Sequence, residues 1–125
     1  NYQALSNRCL VGPSCVAAAS GAPDAPAIIN ALTPEQYPSV AIIQLGYNDD
    51  PNTYQSDVDQ VVNALSARGV QRIVFINLST RRTSRNYALS NAVLANAAAG
   101  YPNVSVLDWN AASSLYTSIF IKVPG

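Results

Sequence analysis

The sequence predicts a three-layer α/β domain, in which a parallel sheet carries helices on both faces. Three nearly continuous apolar segments, VAIIQL, RIVFINL and VSVLD, have the β-branched and aromatic composition of strands buried on both faces. Turns and helix-period patterns separate these segments, and this alternation is typical of a parallel sheet wrapped by helices. A length of 125 residues fits one domain, so residues 1–125 are predicted to form a single folded unit.

The core elements are predicted within residues 38–112. The first strand is expected at Val40–Leu45, followed by a helix at Tyr54–Arg68 that is capped by Asn52 or Thr53. Apolar residues recur in this helix at i, i+3, i+4 and i+7, so one stripe faces the sheet. The later elements are a strand at Arg72–Leu78, a helix at Asn86–Ala99, a strand at Val104–Asp108 and a weaker helix at Ala111–Ser118.

Residues 1–37 form a less regular N-terminal part, with helices predicted at Tyr2–Leu10 and Asp24–Leu32. Cys9 and Cys15 lie six positions apart in a loop-like stretch, a separation that a disulfide can close. Two unpaired buried thiols are the alternative. A disulfide, together with a surface rich in Ala, Asn and Ser, favours a secreted or extracytoplasmic location, in the periplasm or the cell envelope.

Composition argues against several classes of function. Seven basic and seven acidic residues give zero net charge, so no broad field attracts nucleic acid. No run of eighteen apolar residues occurs, so no membrane span is predicted. Two cysteines without a histidine cannot complete a zinc site, and the Gly-rich phosphate loop of a nucleotide-binding domain is missing. We therefore predict neither a metal nor a cofactor.

The candidate site lies where the strands end, because ligands bind outside the carboxyl ends of parallel strands. The first strand is followed there by Gly46, Tyr47, Asn48 and Asp49, and Asn77 lies at the end of the second. These are the predicted binding residues. For Asn48 the alternative is a cap in an ordinary strand-to-loop turn.

Four arginines are predicted to cluster around the exit loop of the second strand, where they could bind a carboxylate or a phosphate. A solvated loop is the favoured alternative. The four are Arg72, Arg81, Arg82 and Arg85.

The segment VAIIQLGYNDD is similar to the block of SGNH (GDSL-type) hydrolases in which a strand ends in Gly-x-Asn-Asp. The segments RIVFINLS and YPNVSVLDW, with Asn91 between them and the Asp108–Trp109 pair at the end, resemble the peptidoglycan O-acetyltransferase and acyl-esterase branch. The resemblance covers roughly residues 38–112. It implies a flavodoxin-like sheet, here with fewer strands, and chemistry on O-acyl groups of cell-envelope glycan or lipid.

The resemblance also implies roles for individual residues. Asn48 takes the position of the side chain that stabilises the oxyanion of a tetrahedral intermediate, an interaction of about 3 to 4 kcal/mol in an intact enzyme. The second oxyanion donor of the family is a glycine backbone amide. Gly21 is the better candidate for it, and Gly12 is the other.

The chain departs from the family at both catalytic blocks. It has no Gly-Asp-Ser tripeptide, and the nearest string, Gly12-Pro13-Ser14, makes Ser14 a serine of the cysteine loop rather than a nucleophile. It also has no histidine, and a serine without a base is a poor nucleophile. Lys122 could replace the base, but nothing in the sequence fixes it near a serine.

These departures lead to a hypothesis of a secreted, non-catalytic SGNH-hydrolase-like domain that acts as a binding or accessory subunit for a glycan or acyl ligand. Without the family's nucleophile strand, Val40–Leu45 becomes an open apolar sheet edge, which another protein chain or residues 1–37 would cover. The alternative is an incomplete version of an active SGNH esterase or acyltransferase. The sequence leaves open whether the protein is an enzyme.

Overall fold

The computed structural model describes residues 21–115. In this part of the chain, helices alternate with the strands of a parallel sheet, a βαβ pattern of the Rossmann and flavodoxin type. Two 3₁₀ turns, Ala22–Asp24 and Pro34–Gln36, flank the first helix. The elements are α1 (Ala25–Ala31), β1 (Val40–Ile43), α2 (Tyr54–Ala67), β2 (Arg72–Ile76), α3 (Tyr87–Gly100), β3 (Val104–Leu107) and α4 (Trp109–Ser114).

The three strands lie side by side in the order β1-β2-β3, and each pair is parallel. Ala41 is paired with Ile73, and Ile73 is paired with Val104. The chain therefore moves in the same direction at both crossovers, and right-handed crossovers then put α2 and α3 on one face of the sheet. In agreement, α2 packs against α3, and α1 packs against α2.

The helix predicted at Tyr54–Arg68 is confirmed as α2, which ends one residue earlier than predicted. Its apolar stripe is buried, and Gly69 ends it with a φ of 80°, which is left-handed backbone that favours glycine. The N–H of Val70 then donates to the carbonyl of Leu65 at 3.2 Å, which closes the helix end. The buried stripe consists of Val58, Val61, Val62 and Leu65.

The strands are shorter than predicted at their carboxyl ends. β2 stops at Ile76 rather than Leu78. The backbone of Leu78 is hydrogen-bonded to the side chain of Asn91 in α3 instead of to a neighbouring strand. The Leu78 N–H donates to Asn91 Oδ1 at 2.8 Å, and Asn91 Nδ2 donates to the Leu78 carbonyl at 2.8 Å. These two bonds replace the next step of the strand ladder.

The core lies between the sheet and the helices. Ala41, Ile73 and Phe75 point toward the helices and are buried. On the opposite face Ile42 is 67% exposed and Leu107 is 51% exposed, although both are apolar. Helices on both faces were predicted; within residues 21–115 the packing of α1, α2 and α3 confirms one face. β1 is an edge strand of the sheet that these residues form, as the sequence led us to expect.

Several predictions concern residues outside the described range. These are the helix at Tyr2–Leu10, the Cys9–Cys15 disulfide, and the assignments of Gly12, Ser14 and Lys122. Within residues 21–115 no helix has the length and apolar character needed to cross a membrane.

Candidate functional site

The carboxyl ends of β1 and β2 lead into two loops, residues 44–53 and 77–86, and β3 leads through Asp108 directly into α4, at the same edge of the sheet. The second loop is joined to the start of α4 by side chains. The Asn77 amide is buried, its Nδ2 donates to Asp108 Oδ1 at 3.0 Å, and its Oδ1 accepts the N–H of Asn110 at 2.8 Å. Thr80 N–H donates to Asn110 Oδ1 at 2.9 Å. Asn77, predicted as a binding residue, thus fixes the second loop to the start of α4.

Asp108 begins α4 as its N-terminal cap, since its Oδ1 accepts the N–H of Ala111 at 3.0 Å. The backbone hydrogen bond from Ala111, followed by the bond from Asn77, lowers the pKa of the Asp108 carboxyl below its ordinary value. The aspartate of the Asp-Trp pair is thus held in its ionised form as a structural acceptor.

Gly46 makes the turn that carries Asn48. Its φ is 140°, and a Cβ at this position would lie 2.8 Å from Leu78 Cδ1 and 2.9 Å from the Tyr54 hydroxyl, so both conformation and space require glycine. The Tyr54 hydroxyl donates to the Leu45 carbonyl just before it. Burial, and then the negative charges of Asp49 and Asp57, raise the pKa of Tyr54, so it remains a neutral donor.

Asn48 is exposed at the tip of this turn, on the carboxyl side of β1. The turn is closed by the Asp49 N–H, which donates to the Gly46 carbonyl at 3.1 Å. The exposed side chain lies at the sheet edge where the SGNH resemblance requires an oxyanion donor.

Gly21 lies next to the same turn, which begins 25 residues later in the sequence at Gly46. Both carboxylate oxygens of the buried Asp49 accept the N–H of Ala22, at 3.2 and 3.0 Å. A Cβ on Gly21 would lie 2.5 Å from Asp49 Oδ1. The structure therefore brings together the two segments to which the resemblance assigns oxyanion donors, with Asp49 as the link between them.

Tyr47 and Arg82 form the aromatic part of the site. The guanidinium carbon of Arg82 lies 4.5 Å from the centroid of the Tyr47 ring, a cation–π contact. Tyr87 meets Tyr47 edge to face, with ring centroids 5.2 Å apart, and its hydroxyl donates to the Tyr47 carbonyl at 2.9 Å. The Tyr47 hydroxyl in turn accepts the N–H of Ser79 at 2.7 Å.

The predicted basic cluster is wrong in one member. Arg72 begins β2 and therefore lies at the opposite end of the strand from the exit loop. Arg81 and Arg85 are exposed on that loop, whereas Arg82 is half-buried against Tyr47. Arg82 is thus packed within the site.

The described loops contain hydroxyls, and the chain has no histidine of the kind that the SGNH family uses as a base. The Ser90 hydroxyl of α3 is buried and has no hydrogen-bond partner. Within residues 21–115 no three side chains of His, Cys, Asp or Glu gather in a way that could hold a metal ion. The arrangement suits ligand binding through amides, a guanidinium and aromatic rings.

Comparison of the chain with family models, with curated proteins and with solved structures finds no match. The structure itself shows an α/β fold with a three-stranded parallel sheet. Membership of the SGNH hydrolases stays a prediction from the quoted motifs.

Sequence reasoning missed the contacts that shape the site. Nothing in the local pattern pairs Arg82 with Tyr47 or Asp49 with Ala22, because the partners are distant in sequence. A usable signal existed for Asn91: an amide on the side of an Ala-rich helix that faces the sheet needs a hydrogen-bond partner.

Proposed function

We propose that this protein is a secreted SGNH-hydrolase-like domain that has lost catalysis and acts as a binding or accessory subunit. One observation carries the proposal: the carboxyl edge of the sheet keeps an ordered polar site, while the whole chain lacks the histidine on which the family's chemistry depends.

The loop around Asn48 supports a binding role. Gly46, Tyr54 and Asp49 fix the turn through a required glycine and buried hydrogen bonds, and Asn48 remains exposed at its tip. An amide held in this way donates to a carbonyl or hydroxyl oxygen with no base involved. O-acyl groups and sugar hydroxyls both present such oxygens, so a glycan or acyl ligand is the proposed ligand class.

The edge strand β1 supports an accessory role. Its outer edge is unpaired within residues 21–115, and Val40 and Ile42 are exposed beside it. Open apolar edges invite pairing with another strand. A second protein chain that adds a strand along Val40–Leu45 is the proposed partner.

A pair of measurements tests the proposal. The full chain is expected to give no hydrolysis of p-nitrophenyl acetate above buffer, and to bind O-acetylated chitooligosaccharide more tightly than the deacetylated form in an NMR titration. Asn48→Ala is expected to remove that preference, whereas Asn52→Ala, another exposed amide of the same loop, keeps it. Turnover that disappears in Asn48→Ala would overturn the proposal.

A second candidate is an active esterase or acyltransferase of which this chain forms only a part. The exposed apolar face with Ile42 and Leu107 favours it, because such a face suits a further layer of structure. Intact-mass spectrometry of the protein from its native source distinguishes the two. A mass near 13.2 kDa supports the binding domain, and a heavier chain that hydrolyses acyl esters supports the enzyme.

A further inference from the structure

We propose that Arg82, packed on Tyr47 at the carboxyl edge of the sheet, binds the carboxylate of a small organic acid or an acidic sugar. This inference rests on the proposed binding role of that edge and names the chemistry of the ligand. The experiment below is independent of catalysis, so it can fail while the proposed function stands.

The guanidinium is positioned by a rigid support. Tyr47 is held at its hydroxyl by the N–H of Ser79 and at its carbonyl by the Tyr87 hydroxyl, at 2.7 and 2.9 Å. Arg82 lies 4.5 Å from the ring of this tyrosine and is half-buried. Stacking on the Tyr47 ring holds the guanidinium at this edge of the sheet. The geometry differs from that of Arg81 and Arg85, which are exposed.

The Nε of Arg82 is buried without a hydrogen-bond partner. A charged donor removed from water and left unpaired destabilises the state in which it occurs, and an acceptor that arrives relieves that cost. Because Nε is shielded, binding requires the side chain to rotate so that the Nε edge faces the ligand. A carboxylate can then accept from Nε and one Nη at once.

The carboxylates of the same loop layer already have other partners. Asp49 accepts the N–H of Ala22 with both oxygens, and Asp108 accepts from Asn77 and Ala111. One half-buried guanidinium balances one negative charge, which favours a carboxylate over a phosphate dianion. The Nε and one Nη of Arg82 thus form a pair of donors that suits the carboxylate of a bound ligand.

The test follows the Nε–Hε resonance of Arg82 in ¹⁵N-labelled protein during titration with glucuronate, with acetate and with the neutral methyl ester of glucuronate. We expect saturable shifts of the Arg82 Hε and of the Tyr47 amide with both carboxylates and none with the ester. Tighter binding of glucuronate than of acetate identifies an acidic sugar, and equal binding identifies a small acid. Chloride at the same ionic strength is expected to give no saturable shift.

Arg82→Lys keeps the charge but removes the fork, and we expect it to weaken binding at least about tenfold. Arg85→Lys, the matched exposed variant, is expected to bind as the wild type does. An unmoved Arg82 Hε in the wild-type protein would overturn the inference whether or not the variants fold. So would equal losses in the two lysine variants, or a stronger response to inorganic phosphate than to glucuronate.

Discussion

The carboxylate of Asp49 accepts the backbone N–H of Ala22 with both of its oxygens, across 27 residues of sequence. This contact ties the segment before α1 to the turn that carries Asn48. Both groups are buried, so neither can turn to water if the other is lost.

Asp49→Ala is therefore expected to lower the free energy of unfolding by about 1–3 kcal/mol, because it leaves the Ala22 N–H buried without an acceptor. Urea denaturation measures this change. Asp49→Asn is the matched control, since its amide oxygen still accepts a hydrogen bond, and it is expected to recover most of the loss. Equal destabilisation by the two variants would show that the charge, rather than the acceptor, is what matters.

Gly21→Ala tests the close approach on the other side of the same contact. The added methyl group would lie 2.5 Å from Asp49 Oδ1, so the turn must shift, at an expected cost of about 1–3 kcal/mol in unfolding free energy. Gly100→Ala provides the contrast, because nothing lies within 4 Å of a Cβ there. Gly100 is the last residue of α3, so alanine is expected to stabilise by no more than the mid-helix value of about 0.5–1 kcal/mol. The prediction fails if thermal melting shifts both variants in the same direction.

Asn91→Ala removes the donor and the acceptor that hold the Leu78 backbone. The expected loss is about 1–3 kcal/mol, because both backbone groups become unpaired in a buried position. Asn96→Ala makes the same substitution at an exposed position of the same helix and is expected to change stability by less than about 0.5 kcal/mol. Chemical denaturation of the two variants isolates the contribution of the two hydrogen bonds. A loss of unfolding free energy no larger in Asn91→Ala than in Asn96→Ala would contradict the prediction.

Asp108 predicts a pH dependence. Its folded pKa is lowered, first by the N–H of Ala111 and then by Asn77, so its contribution to stability is present above the unfolded pKa of about 4 and is lost as the pH falls through the folded value. Asp108→Asn keeps an acceptor but does not titrate. Unfolding midpoints measured from pH 6 downward are expected to fall further for the wild type than for this variant, and parallel curves would contradict the assignment.

The fold was largely predictable because its signals are local. The stripe Val58, Val61, Val62 and Leu65 has helical spacing, and Gly69 marks the end of α2 with a backbone conformation that favours glycine. The strands were visible from their β-branched residues. Their ends were not, because the backbone of Leu78 is hydrogen-bonded to the side chain of Asn91, thirteen residues later in the chain, rather than to a strand.

The sequence predicted where the candidate residues lie in the fold but not which partners they contact. The sheet edge, Asn48 and the Gly46 turn followed from strand direction and from the Gly-x-Asn-Asp pattern. The roles of Asn77 and Asp49 did not, because each depends on a partner about thirty residues away that no local pattern reveals. Arg72 was misplaced for a simpler reason. It is the first residue of β2, so the length of the strand separates it from the exit loop at the other end.

The hydrogen bond that Asn77 donates to Asp108 and the one that it accepts from Asn110 also have a kinetic consequence. A loop that is already tied to a helix needs little rearrangement to receive a ligand, so most of the conformational ordering precedes the encounter. Association at this edge should then follow a single exponential whose rate rises linearly with ligand concentration, as for a preformed receptor. The rotation of Arg82 is confined to one side chain and leaves the loop backbone in place, so it adds no slow ordering step that would produce a plateau.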